Sequence, residues 1–313
     1  MQHRRLGNSG LFVSEVGLGC NNFGGRVDAA GTQRVVDAAL EQGINFFDTA
    51  DVYGEQQSET LLGKALGDRR SDVVIATKFG SPMGKGGLNR GGSRRYVRRA
   101  VEASLARLGT DYIDLYQIHL PDAATPIAET LSVLDDLVRE GKVRYVGHSN
   151  FSGWQIADAH WTAHDLKCTA FVSAQNHYSL IERAVTHEVI PASERFGLGV
   201  LPYFPLASGL LTGKYKRDEP APQGTRLALV ERLAKRALTE RNFDLVERLE
   251  GFARERGKSL LDLAFSWLLS QPVITSVIAG ATSPEQVAAN AAAGDGWHLE
   301  PDEMAKVMEI LKS

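Results

Sequence analysis

The chain is short of cysteine: among 313 residues only Cys20 and Cys168 occur. Two are too few for a disulfide framework, and the expected setting is the reducing cytoplasm. Long apolar runs are missing too. No stretch approaches the roughly 20 residues that a membrane-spanning helix needs, so no membrane partner is expected. The opening MQHRRLGNSG is charged with no apolar segment behind it, unlike a signal peptide. Neither sign of charge dominates. A net charge of -3 gives no electrostatic footing for nucleic acid. Several catalytic signatures are also absent. A metal-dependent barrel hydrolase would need a His-x-His pair at a strand end, and the chain has none. HWTAH spaces His160 and His164 as zinc proteases do, but Trp161 stands where a glutamate is required. GLGCNNFGG puts Asn22 where a dinucleotide-binding loop needs its third glycine, and no helix pattern opens there. No metal site is expected.

What is present is alternation. The turn cluster Gly7–Gly10 separates HRRL from LFVSEV and reads as a β-hairpin. Eight short apolar runs follow: residues 16–19, 44–48, 73–78, 113–119, 143–149, 171–175, 199–204 and 275–280. Amphipathic segments lie between them. Residues 93–109 begin at a Ser N-cap and stop at Gly109, and residues 126–142 carry Pro126 at the first helical position. Strands alternating with helices mean βαβ units and a parallel sheet, and eight units point to a closed (β/α)8 TIM barrel. No Pro/Ser-rich linker divides the chain, so residues 1–313 read as one domain. The polar, Pro-containing segment 216–241 reads as an inserted loop after the seventh strand.

A barrel of this type carries its active site at the C-terminal ends of the strands. INFFDTADVYG ends the second strand at Asp48, with Tyr53 in the loop beyond. Lys78 ends the third strand, inside the apolar run VVIATK, and His119 ends the fourth. A lysine in an apolar strand is costly unless paired, and Asp48 at the neighbouring strand end is the candidate partner. An ammonium beside a phenol favours ionisation, so Lys78 is expected to lower the pKa of Tyr53. The group suits carbonyl reduction: Tyr53 as proton donor, Lys78 and Asp48 behind it, and His119 either orienting the carbonyl oxygen or relaying a proton. Asp51 reads as a solvated loop residue.

Taken together, FFDTADVYG, ATKFG, YQIHLPD, GHSN, AQNHYSL, PYFPLASGLLTGKY and VIAGATSPEQVAAN resemble the aldo-keto reductases along essentially the whole chain. The pattern is most similar to the bacterial branch that also resembles the potassium-channel β subunits. The resemblance implies a TIM barrel with a bottom-closing hairpin that binds NADPH without a Rossmann domain. It puts the catalytic tetrad on Asp48, Tyr53, Lys78 and His119. It puts the nicotinamide carboxamide at Ser149, Asn150 and Gln175, and a stacking aromatic at Tyr203. Leu206, Ser208 and Lys214 match the pyrophosphate clamp, and Gly280, Thr282, Gln286 and Asn290 the adenosine end. Cys20 and Asn21 are expected to offer backbone near the nicotinamide ribose. Phe23, Phe79 and Phe151 are expected as apolar walls for a small carbonyl substrate.

There are departures. GHSN replaces the more usual GVSN or GISN, bringing in His148. Gly280 and Gln286 stand where many members carry a cation for the 2′-phosphate, which weakens NADPH over NADH. The expected protein is a monomeric, cytoplasmic, NADP(H)-dependent carbonyl reductase. The alternative is an NADPH-binding redox sensor or regulatory protein with little turnover.

Overall fold

A computed structural model describes residues 1–84 and 86–312. Its first two strands, β1 (His3–Arg5) and β2 (Phe12–Ser14), form the antiparallel hairpin, with His3 opposite Ser14. Gly7 turns between them at φ 52°. A Cβ there would lie 2.5 Å from the Val172 carbonyl oxygen, so only glycine lets the turn dock this closely.

Eight parallel strands follow. They are β3 (Val16–Gly19), β4 (Phe46–Asp48), β5 (Val74–Phe79), β6 (Ile113–Ile118), β7 (Val143–Ser149), β8 (Ser173–Gln175), β9 (Gly199–Val200) and β10 (Val277–Gly280). They pair in chain order, and β10 returns to lie beside β3, with Val277 opposite Val16 and Gly280 opposite Gly19. Between β9 and β10 only isolated bridges join the sheet, Val200 to Ile274 and Tyr203 to Ile278. They close the ring. The (β/α)8 architecture is therefore present, with strands shorter than the apolar runs: 171–175 narrows to three residues and 199–204 to two.

The hairpin plugs the N-terminal end of the ring. Leu6 and Val13 are fully buried and pack with Phe46, Val74, Ala76, Leu115, Leu201 and Ile278 inside the barrel. A larger apolar core lies outside it, under the helices. These are α1 (Ala29–Glu41), α2 (Gln57–Leu66), α3 (Arg94–Leu108), α4 (Ile127–Arg139), α5 (Gly153–Leu166), α6 (Val189–Phe196), α7 (Arg226–Leu229), α8 (Glu231–Ala237), α9 (Glu240–Arg254), α10 (Leu260–Leu269), α11 (Pro284–Gly296) and α12 (Pro301–Lys312). The Ser93 side chain caps α3 by accepting from the Tyr96 amide, and Gly109 ends it at φ 65°. Pro126 stands one place earlier than expected, at the N-cap of α4. Segment 216–241 departs further from expectation. It is not an open loop: it holds α7, α8 and the start of α9. Leu227 is buried in the outer core. Its short helical turns are amphipathic only in part, so composition alone read as loop. No described helix is long and apolar enough to cross a membrane.

Candidate active site

At the C-terminal rim the strand ends deliver polar groups into a water-excluded wall. Lys78, next to last in β5, has 0% of its side chain exposed, and Asp48 closes β4 with 4%. Their burial is tolerable because every group finds a partner. The Lys78 ammonium donates to Asp48 Oδ2 at 2.7 Å, to the Thr49 carbonyl at 2.7 Å and to Tyr53 Oη at 3.5 Å. Those three bonds use all the donors an ammonium has. Asp48 Oδ1 accepts from Gln175 Nε2 at 2.8 Å. The polar chain continues as Ser149 Oγ donates to the Gln175 carbonyl, and Asn150 Nδ2 donates to Ser149 Oγ and to the His119 carbonyl. Tyr203 Oη donates to Asn150 Oδ1 at 2.8 Å. Seven of the strand-end residues singled out in the sequence, with Tyr53 joined through Lys78, thus form one connected network.

Tyr53 and His119 face each other edge to face, ring centroids 5.7 Å apart. Burial pushes the Tyr53 phenol above its ordinary value. The Lys78 ammonium pulls it down and Asp48 pushes it up again, so the net direction is upward. The expectation that Lys78 would leave a lowered phenol is corrected: desolvation of the phenolate outweighs the ammonium. Lys78 itself is held above its ordinary value. Burial opposes its charge, but Asp48 and Tyr53 more than offset that. Burial, with a smaller push from Lys78, lowers His119 to about 3, so its ring is neutral around neutral pH.

The rim opens into a cavity of about 890 Å³. Asp48, Tyr53, His119, Ser149, Asn150, Gln175, Tyr203, Leu206, Ser208, Lys214, Gly280, Thr282, Gln286 and Asn290 all line it, together with Asn21. Five expected site residues do not: Lys78, buried behind Asp48 and Tyr53, and Cys20, Phe23, Phe79 and Phe151. Cys20 is fully buried, its thiol directed to the Leu18 carbonyl. Phe23 and Phe79 are also fully buried, Phe79 packing on Tyr116 at 4.7 Å, and Phe151 stacks on His148 at 4.6 Å. All three rings belong to the outer core, and none lines the cavity. Asp51 is no solvated loop residue either. It is 1% exposed, beneath α2 and α3. His160 and His164 lie on α5 away from the cavity, His160 stacked on Phe196.

Sequence reasoning missed the cavity's cationic side. Arg226 reaches in from α7, its guanidinium donating to Asn22 Oδ1 at 3.1 Å and lying 5.2 Å from the centre of the Phe204 ring. Arg26 and Lys214 line the same space. Among the described residues none of the three pairs with a carboxylate, and each of Arg26 and Arg226 helps to lower Lys214, after its burial. Nothing local could have flagged Arg226, because it is brought in by the fold of a segment that reads as loop.

Residues 15–312 match the model of the aldo/keto reductase family. The chain belongs to that family. It is 40% identical to the uncharacterized oxidoreductase YrpG of Bacillus subtilis (strain 168), over 92% of this chain and 89% of that one. It is 37% identical to a probable voltage-gated potassium channel subunit beta of Oryza sativa subsp. japonica, over 100% and 97%. To the L-glyceraldehyde 3-phosphate reductase of Escherichia coli (strain K12) it is 34% identical, over 98% and 91%. Aldo/keto reductases are oxidoreductases that generally use nicotinamide cofactors. The cavity suits such a group. Three unpaired cations crowded together repel one another and favour a polyanion between them. Ala207 and Ser208 hold positive φ, 46° and 60°, in the stretch beside Lys214, a backbone turn of the sort that gathers N–H groups toward an anion.

Proposed function

We propose that this protein reduces small aldehydes or ketones to alcohols and uses NADPH to do so. The observation that carries the reading is one convergence: the Tyr53–Lys78–Asp48 chain and a neutral His119 meet a cavity holding three unpaired cations. Tyr53 Oη accepts from Lys78, which leaves the phenol's own O–H for a carbonyl oxygen in the cavity. Its raised pKa keeps that proton in place until an oxygen more basic than the phenolate arrives. The Lys78 ammonium then stabilises the phenolate left behind, in a setting where burial strengthens the attraction. His119 orients the same carbonyl oxygen.

A bound nicotinamide supplies the hydride for the carbonyl carbon. Ser149, Asn150 and Gln175 would hold its carboxamide, and Tyr203 would lie against the ring. Leu206, Ser208 and Lys214 would meet the phosphates. Gly280, Thr282, Gln286 and Asn290 would take the adenosine end. Arg226 changes the balance between cofactors. Gly280 and Gln286 argued against a preference for NADPH, and Gln286 is turned onto Thr282, accepting from its amide at 2.9 Å. Arg226 and Arg26 line the same cavity and supply positive charge there, which favours NADPH over NADH. On this reading the protein is a monomer that acts on a small diffusible carbonyl in the cytoplasm.

The test is oxidation of NADPH, followed by its absorbance, against a panel of aldehydes that includes L-glyceraldehyde 3-phosphate. Tyr53→Phe should lower turnover by roughly a thousandfold or more, the scale of removing a proton donor and its charge stabilisation, with NADPH affinity unchanged. Full activity in that variant would remove Tyr53 as the donor. Tight NADPH binding with no turnover on any carbonyl would favour the sensor reading, in line with the channel-subunit relatives.

A further inference from the structure

The turn that leaves β5 carries a residue with no part in the reading so far. Gly80 takes φ 102°, a conformation that favours glycine, and the chain bends back so that Ser81 lies beside His119. The Ser81 hydroxyl is 3.0 Å from His119 Nδ1, and Ser81 is only 6% exposed. The ring is otherwise fixed from its backbone: the His119 amide donates to the Phe79 carbonyl at 2.8 Å, and its carbonyl accepts from Asn150. No hydrogen bond from a described residue reaches Nε2, and His119 lines the cavity.

A neutral imidazole carries one proton, on either nitrogen, and the partner of one nitrogen decides which. Two arrangements satisfy the 3.0 Å contact. In the first, Nδ1–H donates to Ser81 Oγ. The buried hydroxyl proton then needs a second acceptor, and Ser81 Oγ has no other hydrogen bond among the described residues. In the second, Ser81 donates to a bare Nδ1. Only lone pairs on the hydroxyl oxygen then go unused, and a spare lone pair is tolerated far better than a buried donor without a partner. The second arrangement wins. It leaves the ring's proton on Nε2.

We propose that Ser81 is a positioning residue that sets the tautomer of His119, so that Nε2–H faces the cavity as a hydrogen-bond donor. His119 then has no lone pair toward the cavity with which to take up a proton. Its part is to donate to the carbonyl oxygen, and the relay that the sequence left open is excluded. The catalytic consequence rests on the carbonyl-reductase reading; the tautomer does not.

The experiment is nitrogen NMR of protein labelled at histidine, near neutral pH, with the His119 signals assigned by their loss in His119→Gln. In the wild type Nδ1 should resonate as a bare ring nitrogen and Nε2 as a protonated one. Ser81→Ala should redistribute His119 between the two tautomers, and Ser81→Thr, which keeps the hydroxyl, should restore the wild-type pattern. Loss of one hydrogen bond of ordinary strength should lower kcat in Ser81→Ala about tenfold, with NADPH affinity unchanged. A wild-type ring protonated on Nδ1, or a tautomer indifferent to Ser81→Ala, overturns the proposal. Should the tautomer respond as expected in a protein that reduces no carbonyl, the role of Ser81 stands and the reductase reading falls.

Discussion

Two buried polar regions lie back to back across the same strands. Inside the barrel mouth, Asp48, Lys78, Gln175, Ser149 and Asn150 form an unbroken chain of partners. Outside it, between the sheet and helices α2 and α3, Asp51, Glu59, Thr77, Tyr96, Arg107 and Tyr116 form a second group. Glu59 is fully satisfied, by Thr77 at 2.6 Å and Arg107 at 2.7 Å. Asp51 is not. It accepts from Tyr96 Oη at 3.3 Å, while among the described residues its Oδ1 and the Tyr116 hydroxyl have no hydrogen-bond partner. The contrast teaches where exact satisfaction is needed. The network that holds the buried Lys78 charge is complete. One that only fills space under helices tolerates gaps, and the protons adjust instead: burial, reinforced by Glu59, raises Asp51 to about 7. The same holds for His148 on the outer side of β7. Neither of its ring nitrogens has a hydrogen-bond partner among the described residues, it stacks on Phe151 with its edge toward Phe171, and burial lowers it to about 3.

Breaking the inner network should have the largest effect. Lys78→Met removes the counter-charge of Asp48 and the donor to Tyr53. Carbonyl reduction should fall by at least about a thousandfold, and the unpaired buried carboxylate should cost about 3–5 kcal/mol in urea unfolding. Activity within tenfold of wild type would mean that the inner chain is mere packing.

The outer group should respond the other way, by gaining stability. The Asp51 carboxyl has a folded pKa above its unfolded one, so the folded state keeps a proton that the unfolded chain releases. Its contribution is therefore greatest at low pH and is lost as pH rises from about 4 through about 7. Asp51→Asn should stabilise the protein by roughly 4 kcal/mol at about pH 8, a gain that fades toward about pH 4. Thermal melts across that range would read it. An equal gain at every pH would show that the carboxyl is not the cause.

His148 has the opposite sign, since its folded pKa lies below the unfolded one: stability is lost as pH falls from about 6.5 toward 3. His148→Phe should be more stable than wild type by about 2 kcal/mol at about pH 5, measured against any difference at about pH 8. The smallest effect is Tyr116→Phe, which deletes a buried hydroxyl without a partner and should stabilise by about 1 kcal/mol or less. A loss of that size instead would show that the hydroxyl has a partner in solution.

The inner region was far more legible in the sequence than the outer one. Asp48, Lys78 and His119 sit at the ends of apolar strands, and strand ends in a barrel converge by construction, so spacing along the chain was enough. Asp51 stands only three residues beyond Asp48, in a run that reads as an ordinary polar turn. Its burial comes from α2 and α3 closing over it, which no local pattern encodes. Phe23, Phe79 and Phe151 failed for a related reason: being near a strand end does not say which face of the strand a side chain takes. Arg226 was out of reach because its segment folds through tertiary contacts, among them buried Leu227, rather than through strong periodicity.

The ring of strands is unevenly sewn. Neighbours such as β5 and β6 share four aligned residue pairs, whereas β9 is two residues long, and the join between its side of the ring and β10 is made by isolated bridges at Val200 and Tyr203. Amides along that join should exchange with solvent sooner than those of any other strand pair. Tyr203 stands on one bank of it, and Gly280 and Thr282 on the other, all facing the same cavity. Whatever occupies the cavity therefore acts as a suture, and slowed exchange at this one seam should report its arrival before any chemistry begins.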